Sequence, residues 1–214
     1  MNRTILTCCN DDVDDLNAQI LAMFPGEERV YHAVDQILTE GIADNIEPYP
    51  QEFLASIRAS GLPLANLALK TGCPLILLQN LDPSAGLCNG TWLILVAMKP
   101  HVLQCCILSG DHAGDMVFIP RITLKPSNED LPVPLERLQF PVHLGFAMTI
   151  NKAQGQSVKK VGLDLRSPVF SHGQLYVALS HCTSGDHIKV IFPPTESGTK
   201  TLNIVYSEAL AGIL

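Results

Sequence analysis

The sequence predicts an α/β domain built on a parallel sheet and interrupted by a small antiparallel β-barrel. Three observations carry that prediction: a strand–loop–helix opening, a middle stretch of short β-prone runs separated by turn signals, and a return of α/β patterning from about Val142. The chain has 214 residues, 47% of them hydrophobic and 16% charged, which suits one domain carrying an insertion. Such a composition excludes intrinsic disorder, collagen and coiled coil.

Each element has its own signal. Residues 4–9 form a short apolar, β-prone run, and Asn10, Asp11 and Asp12 supply an N-cap with acidic groups in the first helical turn. Val13, Leu16, Ile20, Met23 and Phe24 recur at helical spacing until Pro25-Gly26 stops the helix. A second strand is expected over residues 30–34. Glu47-Pro48-Tyr49-Pro50 breaks the pattern, and a short helix over residues 51–59 precedes the β-rich region. There, strands are expected at 67–69, 74–79, 90–97, 102–108 and 116–123, punctuated by Asp82-Pro83, Asn89-Gly90, Lys99-Pro100 and Ser109-Gly110. Residues 131–134 close that region. Residues 144–150 and 161–165 then read as strands. Ser167-Pro168 reads as a cap opening a helix to about Ser180, followed by a strand at 188–192 and a terminal helix at 207–214.

Several function classes fall away on composition and spacing. No apolar stretch approaches the roughly 18 to 20 residues that cross a bilayer, and the N-terminus lacks a secretory h-region, so an intracellular, non-secreted protein is expected. Seven cysteines form no CxxC, which predicts buried free thiols rather than disulfides or zinc. Seven histidines show no HExxH or HxxxH spacing, so no metal site is expected. Ser180-His181 is not a preassembled nucleophile pair, because neighbours on a helix point about 100° apart. The net charge of −7 argues against a freestanding high-affinity nucleic-acid binder.

The most informative segment, residues 147–157, runs from an apolar strand into the polar turn Asn151-Lys152-Ala153-Gln154-Gly155-Gln156-Ser157. Polar groups just beyond the carboxyl end of a strand are where open α/β sheets meet ligands. The segment resembles motif V of helicase superfamily one, and residues 174–184 are similar to its motif VI. Residues 79–83 and 86–91 resemble the inserted barrel of the Pif family of DNA helicases, with the Helitron-type transposon subset the most similar. The opening residues 5–14 and the ending residues 201–208 fit the same template in the same order.

The resemblance implies a second RecA-like domain, residues 1–50 and 144–214, interrupted by an SH3-like barrel over residues 51–143. Carried over by position, Thr149, Asn151 and Lys152 lie on the DNA side, Gln154 and Gly155 approach the nucleotide cleft, and His181 occupies the position of the family's arginine finger. In the inserted barrel, Asn89, Thr91 and Trp92 are candidate DNA contacts, with Trp92 either packed on the barrel surface or stacked on a base.

Departures from the pattern limit what this chain does alone. The sequence contains no Gly-Lys dipeptide, so no Walker A phosphate cradle is present, and the acids after residue 9 are explained by helix capping. His181 is shorter than arginine and lacks its permanent charge, and loss of such a finger costs about 10³ to 10⁵ in rate. Gln79 and Trp92 also stand where the family reads arginine, and all three changes fit single C-to-T transitions in a decaying transposon copy. The expectation is the C-terminal fragment of a Pif-like, ATP-dependent DNA helicase, 5′-to-3′ when intact, inactive alone. ATP and Mg are expected only in an intact two-domain helicase. The expected partners are single-stranded DNA, bound weakly, and a separate chain supplying the first RecA-like domain, in the nucleus or the mitochondrion. The alternatives are a stand-alone DNA- or protein-binding module and an inactive transposon-derived product.

Overall fold

A computed structural model describes residues 3–37, 49–59, 61–126, 134–154, 158–182, 184–193, 200–206 and 208. The chain divides into two compact units, Met1–Ala22 with Gly145–Leu214, and Met23–Leu144. The first opens with β1 (Arg3–Thr7) and α1 (Asn10–Met23). The second contributes β2 (Glu28–His32), β3 (Val34–Ile37), α2 (Gln51–Ser56), β4 (Asn66–Lys70), β5 (Pro74–Leu77), β6 (Trp92–Met98), β7 (Val102–Ile107), β8 (Met116–Pro120), β9 (Ile122–Leu124), β10 (Leu135–Gln139) and β11 (Val142–Leu144). The first unit resumes with β12 (Ala147–Thr149), α3 (Ile150–Ala153), β13 (Lys160–Asp164), α4 (Gln174–Ser180) and β14 (Ile188–Ile191).

In the first unit four parallel strands run in the order β12-β1-β13-β14. The apolar and β-branched residues of β1, β12 and β13 suit burial on both faces, and Leu6, Thr7, Ala147 and Leu163 are fully buried, whereas β14 alternates half-buried and exposed positions. Along α1, Val13, Asn17 and Leu21 recur every four residues and face inward. Asn17 binds both backbone groups of Ala147, donating to its carbonyl at 3.2 Å and accepting from its N–H at 2.9 Å. A buried amide satisfied this way fixes the helix against β12 without an orphaned polar group. Burying Leu21 contributes about 1.5–3 kcal/mol, and Leu21→Ala would cost about 2–5 kcal/mol.

The second unit is antiparallel, with sheets ordered β11-β5-β6-β7-β8, β3-β10-β9 and β2-β4. Leu54, Ile57, Leu62, Leu124 and Leu135 form a core cluster beneath α2 and the three-stranded sheet. Arg137, only 1% exposed, lies in the same region. It forks onto Asp35 through Nε (2.8 Å) and Nη2 (2.9 Å) and donates to the carbonyls of Leu54, Ile57 and Pro63. All five of its N–H donors are used, which makes burial of the charge tolerable.

The structure corrects four sequence expectations. The run at 30–34 is two strands, and both belong to the inserted unit because β2 pairs with β4 and β3 with β10; the boundary falls at 22, not 50. Residues 144–150 split between β11 and β12, one in each unit. Among the described residues the five-stranded sheet of the inserted unit runs β11-β5-β6-β7-β8, with no pairing between β8 and β11. Helix α1 begins at Asn10 itself, with the Val13 N–H donating to the carbonyl of Cys9. Helix α4 starts at Gln174 rather than Pro168, because Gly173 adopts φ +73° and the Gln174 side chain accepts from the Phe170 N–H. The terminal helix expected at 207–214 lies outside the described residues, Glu208 apart.

Candidate nucleotide and nucleic-acid interface

At the carboxyl end of β12 the chain turns directly into α3. The Thr149 hydroxyl caps that turn, accepting from the Lys152 N–H at 3.4 Å, and the side chain is 8% exposed. Asn151 and Lys152 are exposed on the turn, whereas Ile150 and Ala153 are fully buried. Gln154 follows with extended backbone, its N–H donating to the carbonyl of Asn151, and its side chain is exposed. Gly155 lies outside the described residues.

Helix α3 packs against α4. His181 ends α4 and joins the two: Nδ1 faces the Val177 carbonyl and Nε2 lies 2.6 Å from the Ala153 carbonyl. The structure therefore gathers Thr149, Asn151, Lys152, Gln154 and His181 within one unit. It also turns His181 inward, toward the protein backbone.

Sequence reasoning missed a second cluster at the carboxyl ends of β1 and β13. By chain order the sheet reads 2-1-3-4, so the topological switch point falls between these two strands. Asp12 accepts from the Thr7 hydroxyl at 3.2 Å, the Cys9 thiol at 2.9 Å and Ser167. The thiol hydrogen bond foremost holds its carboxyl below the usual range. The same bond raises the Cys9 thiol, and burial pushes Cys8 up to about 11. Asp164 is buried and holds the exposed Arg166 guanidinium in a fork, with Nε at 3.0 Å and Nη2 at 2.6 Å. Only polar side chains immediately after each strand would have flagged this group, since Asp12 and Ser167 are remote in sequence.

In this cluster the Arg166 guanidinium is committed to Asp164, while the His181 ring faces the backbone of its own unit.

The remaining candidates belong to the second unit. The Thr91 hydroxyl donates to the Gly86 carbonyl and accepts from the Cys88 N–H, and the Asn80 side chain accepts from the Asn89 N–H, so the turn is braced from within. Asn89 is exposed. Trp92 is 5% exposed, which leaves no open ring face for a base and corrects its placement among the DNA contacts.

This architecture is shared with solved helicases. A crystal structure of Bacteroides Pif1 bound to ssDNA superposes with a TM-score of 0.69 at 24% identity, covering 99% of this chain and 44% of that one. Residues 52–98 match the family described as DNA helicase Pif1, 2B domain. The human ATP-dependent DNA helicase PIF1 is 31% identical over 195 residues, 88% of this chain and 27% of that protein. The Saccharomyces cerevisiae ATP-dependent DNA helicase RRM3 is 45% identical over 65 residues, 29% of this chain and 9% of that protein. The chain belongs to the Pif1 family of helicases. It spans about a quarter of the length of the human relative.

Proposed function

We propose that this chain is the C-terminal motor portion of a Pif1-type ATP-dependent DNA helicase: a second RecA-like domain carrying an SH3-like insertion. In this reading Thr149, Asn151 and Lys152 contact single-stranded DNA, and Gln154 with Gly155 borders the nucleotide cleft. The observation that supports it best is the joining of the 149–154 turn to α4 through His181, the two segments that resemble motifs V and VI. ATP and Mg are used only with a domain that supplies a phosphate cradle, here or on a separate chain. This chain alone turns over no ATP and unwinds nothing. The intact assembly translocates 5′ to 3′, in the nucleus or the mitochondrion. Among the described residues no helix is long and apolar enough to cross a membrane.

Fluorescence anisotropy with a labelled single-stranded oligonucleotide tests the reading. Micromolar binding that weakens steeply with salt is expected, since phosphate contacts release counterions. Absence of binding at low salt would overturn it. A second reading, docking to a partner protein, is favoured by the exposed Phe170, Tyr176 and Leu179 of the first unit, and predicts association insensitive to salt. Decay of a transposon copy would account for His181, Gln79 and Trp92, and arginine codons at these positions in sister copies are its expected sign.

A further inference from the structure

Helix α3 is a single turn of four residues, too short to stabilise itself, and the carbonyls at its end have no partner within the helix. Ala153, its last residue, is fully buried, so its carbonyl cannot rely on water. Among the described residues the donor that reaches it comes from another element, the Nε2 of His181 at 2.6 Å. The other ring nitrogen faces Val177, whose carbonyl also accepts from the Ser180 hydroxyl at 2.9 Å. Both carbonyls can only accept, so each contact requires a proton on its ring nitrogen, and the one that joins the two elements is through Nε2.

We propose that His181 is a positioning residue whose Nε2–H caps the carbonyl end of α3 and so holds Asn151 and Lys152 in their DNA-facing arrangement. The DNA-facing part of this statement rests on the function proposed above; the cap itself does not. The residue that the resemblance puts at the arginine-finger position works inward, on the turn that precedes it in the sheet.

Side-chain amides separate the two ring contacts. Glutamine presents its NH₂ near the place of Nε2 and asparagine near that of Nδ1, so His181→Gln keeps the link to Ala153 while His181→Asn keeps only the link within α4. The readout is hydrogen exchange of the Gln154 amide, which donates to the Asn151 carbonyl at 3.3 Å and reports closure of the turn. Wild type and His181→Gln should exchange alike, and His181→Asn should exchange at least about tenfold faster, a loss of about 1.4 kcal/mol of local stability. Nitrogen NMR of the wild-type imidazole, which needs no variant to fold, should show a proton on Nε2. Equal exchange in the two variants, or an unprotonated Nε2, overturns the proposal. Oligonucleotide affinity is measured in parallel: if Lys152→Ala leaves it unchanged, the DNA reading fails while the cap stands. If His181→Asn weakens exchange protection but not affinity, the positioning role fails.

Discussion

Removing Asp35 should unfold the inserted unit more readily than any surface change in the chain. The Asp35 side chain is 4% exposed and receives two of the five N–H donors of Arg137, itself 1% exposed. Taking one partner from a buried ion pair leaves the other charge uncompensated and costs about 3–5 kcal/mol. Set against the 5–15 kcal/mol that holds a typical domain together, that is a large fraction. Replacing both partners with apolar residues, Asp35→Leu with Arg137→Met, is often neutral elsewhere. Here it should remain destabilising by about 2 kcal/mol or more, because the carbonyls of Ile57 and Pro63 lose the guanidinium as a donor. The assay is urea unfolding followed by the fluorescence of Trp92, the chain's single tryptophan and buried in this unit. A loss below about 1 kcal/mol for Asp35→Ala, or a double variant as stable as wild type, would refute this account of Arg137.

Other expectations follow from the same geometry. Lys152→Ala should weaken oligonucleotide binding and reduce the slope of log affinity against log salt by about 0.7, read from anisotropy titrations. Asp12 has a depressed carboxyl, so its contribution to stability is complete above the ordinary value of 3.8 and is lost as pH falls below it. The gap in urea midpoint between wild type and Asp12→Asn should therefore shrink on acidification toward pH 3. Gly86→Ala should cost about 1–3 kcal/mol, since φ is +76° and the new Cβ would meet His112 Cδ2 at 2.8 Å and Cβ at 2.9 Å. Adding His112→Ala removes Cγ and Cδ2 but keeps Cβ at 2.9 Å, so it should recover only part of the steric cost and none of the backbone strain, by thermal melting. Cys8 and Cys73, held up to about 11, and Cys105, up to about 12, should resist alkylation at pH 8 in the native protein, as mass spectrometry of the peptides would show.

Strand β12 was legible from its apolar run, all three residues being buried, and α1 was legible as a helix from the spacing of Val13, Leu16, Ile20 and Met23, although the face it buries is Val13, Asn17 and Leu21. Failures came where distant residues decide. Nothing local in β2 and β3 says that their partners are β4 and β10, so the unit boundary was misplaced. Strand β10 was not among the expected strands: its charged Glu136 and Arg137 give no local β signal, and Arg137 is buried by virtue of Asp35, far upstream. Ser167-Pro168 carried a genuine start signal, but Ser167 bonds instead to Asp12, and Gly173 delays the helix. The turn at 149–154 was found from its residue types. That His181 closes it was not, because the pairing joins α3 to α4 across a strand.

The central claim is that the turn after β12 meets single-stranded DNA. Hydrogen exchange measured across the whole chain, with and without a saturating oligothymidine, tests it most directly. The account predicts slowed exchange over residues 149–154, lost again at high salt. Protection confined to the second unit, or unchanged exchange over that turn at saturation, would contradict it.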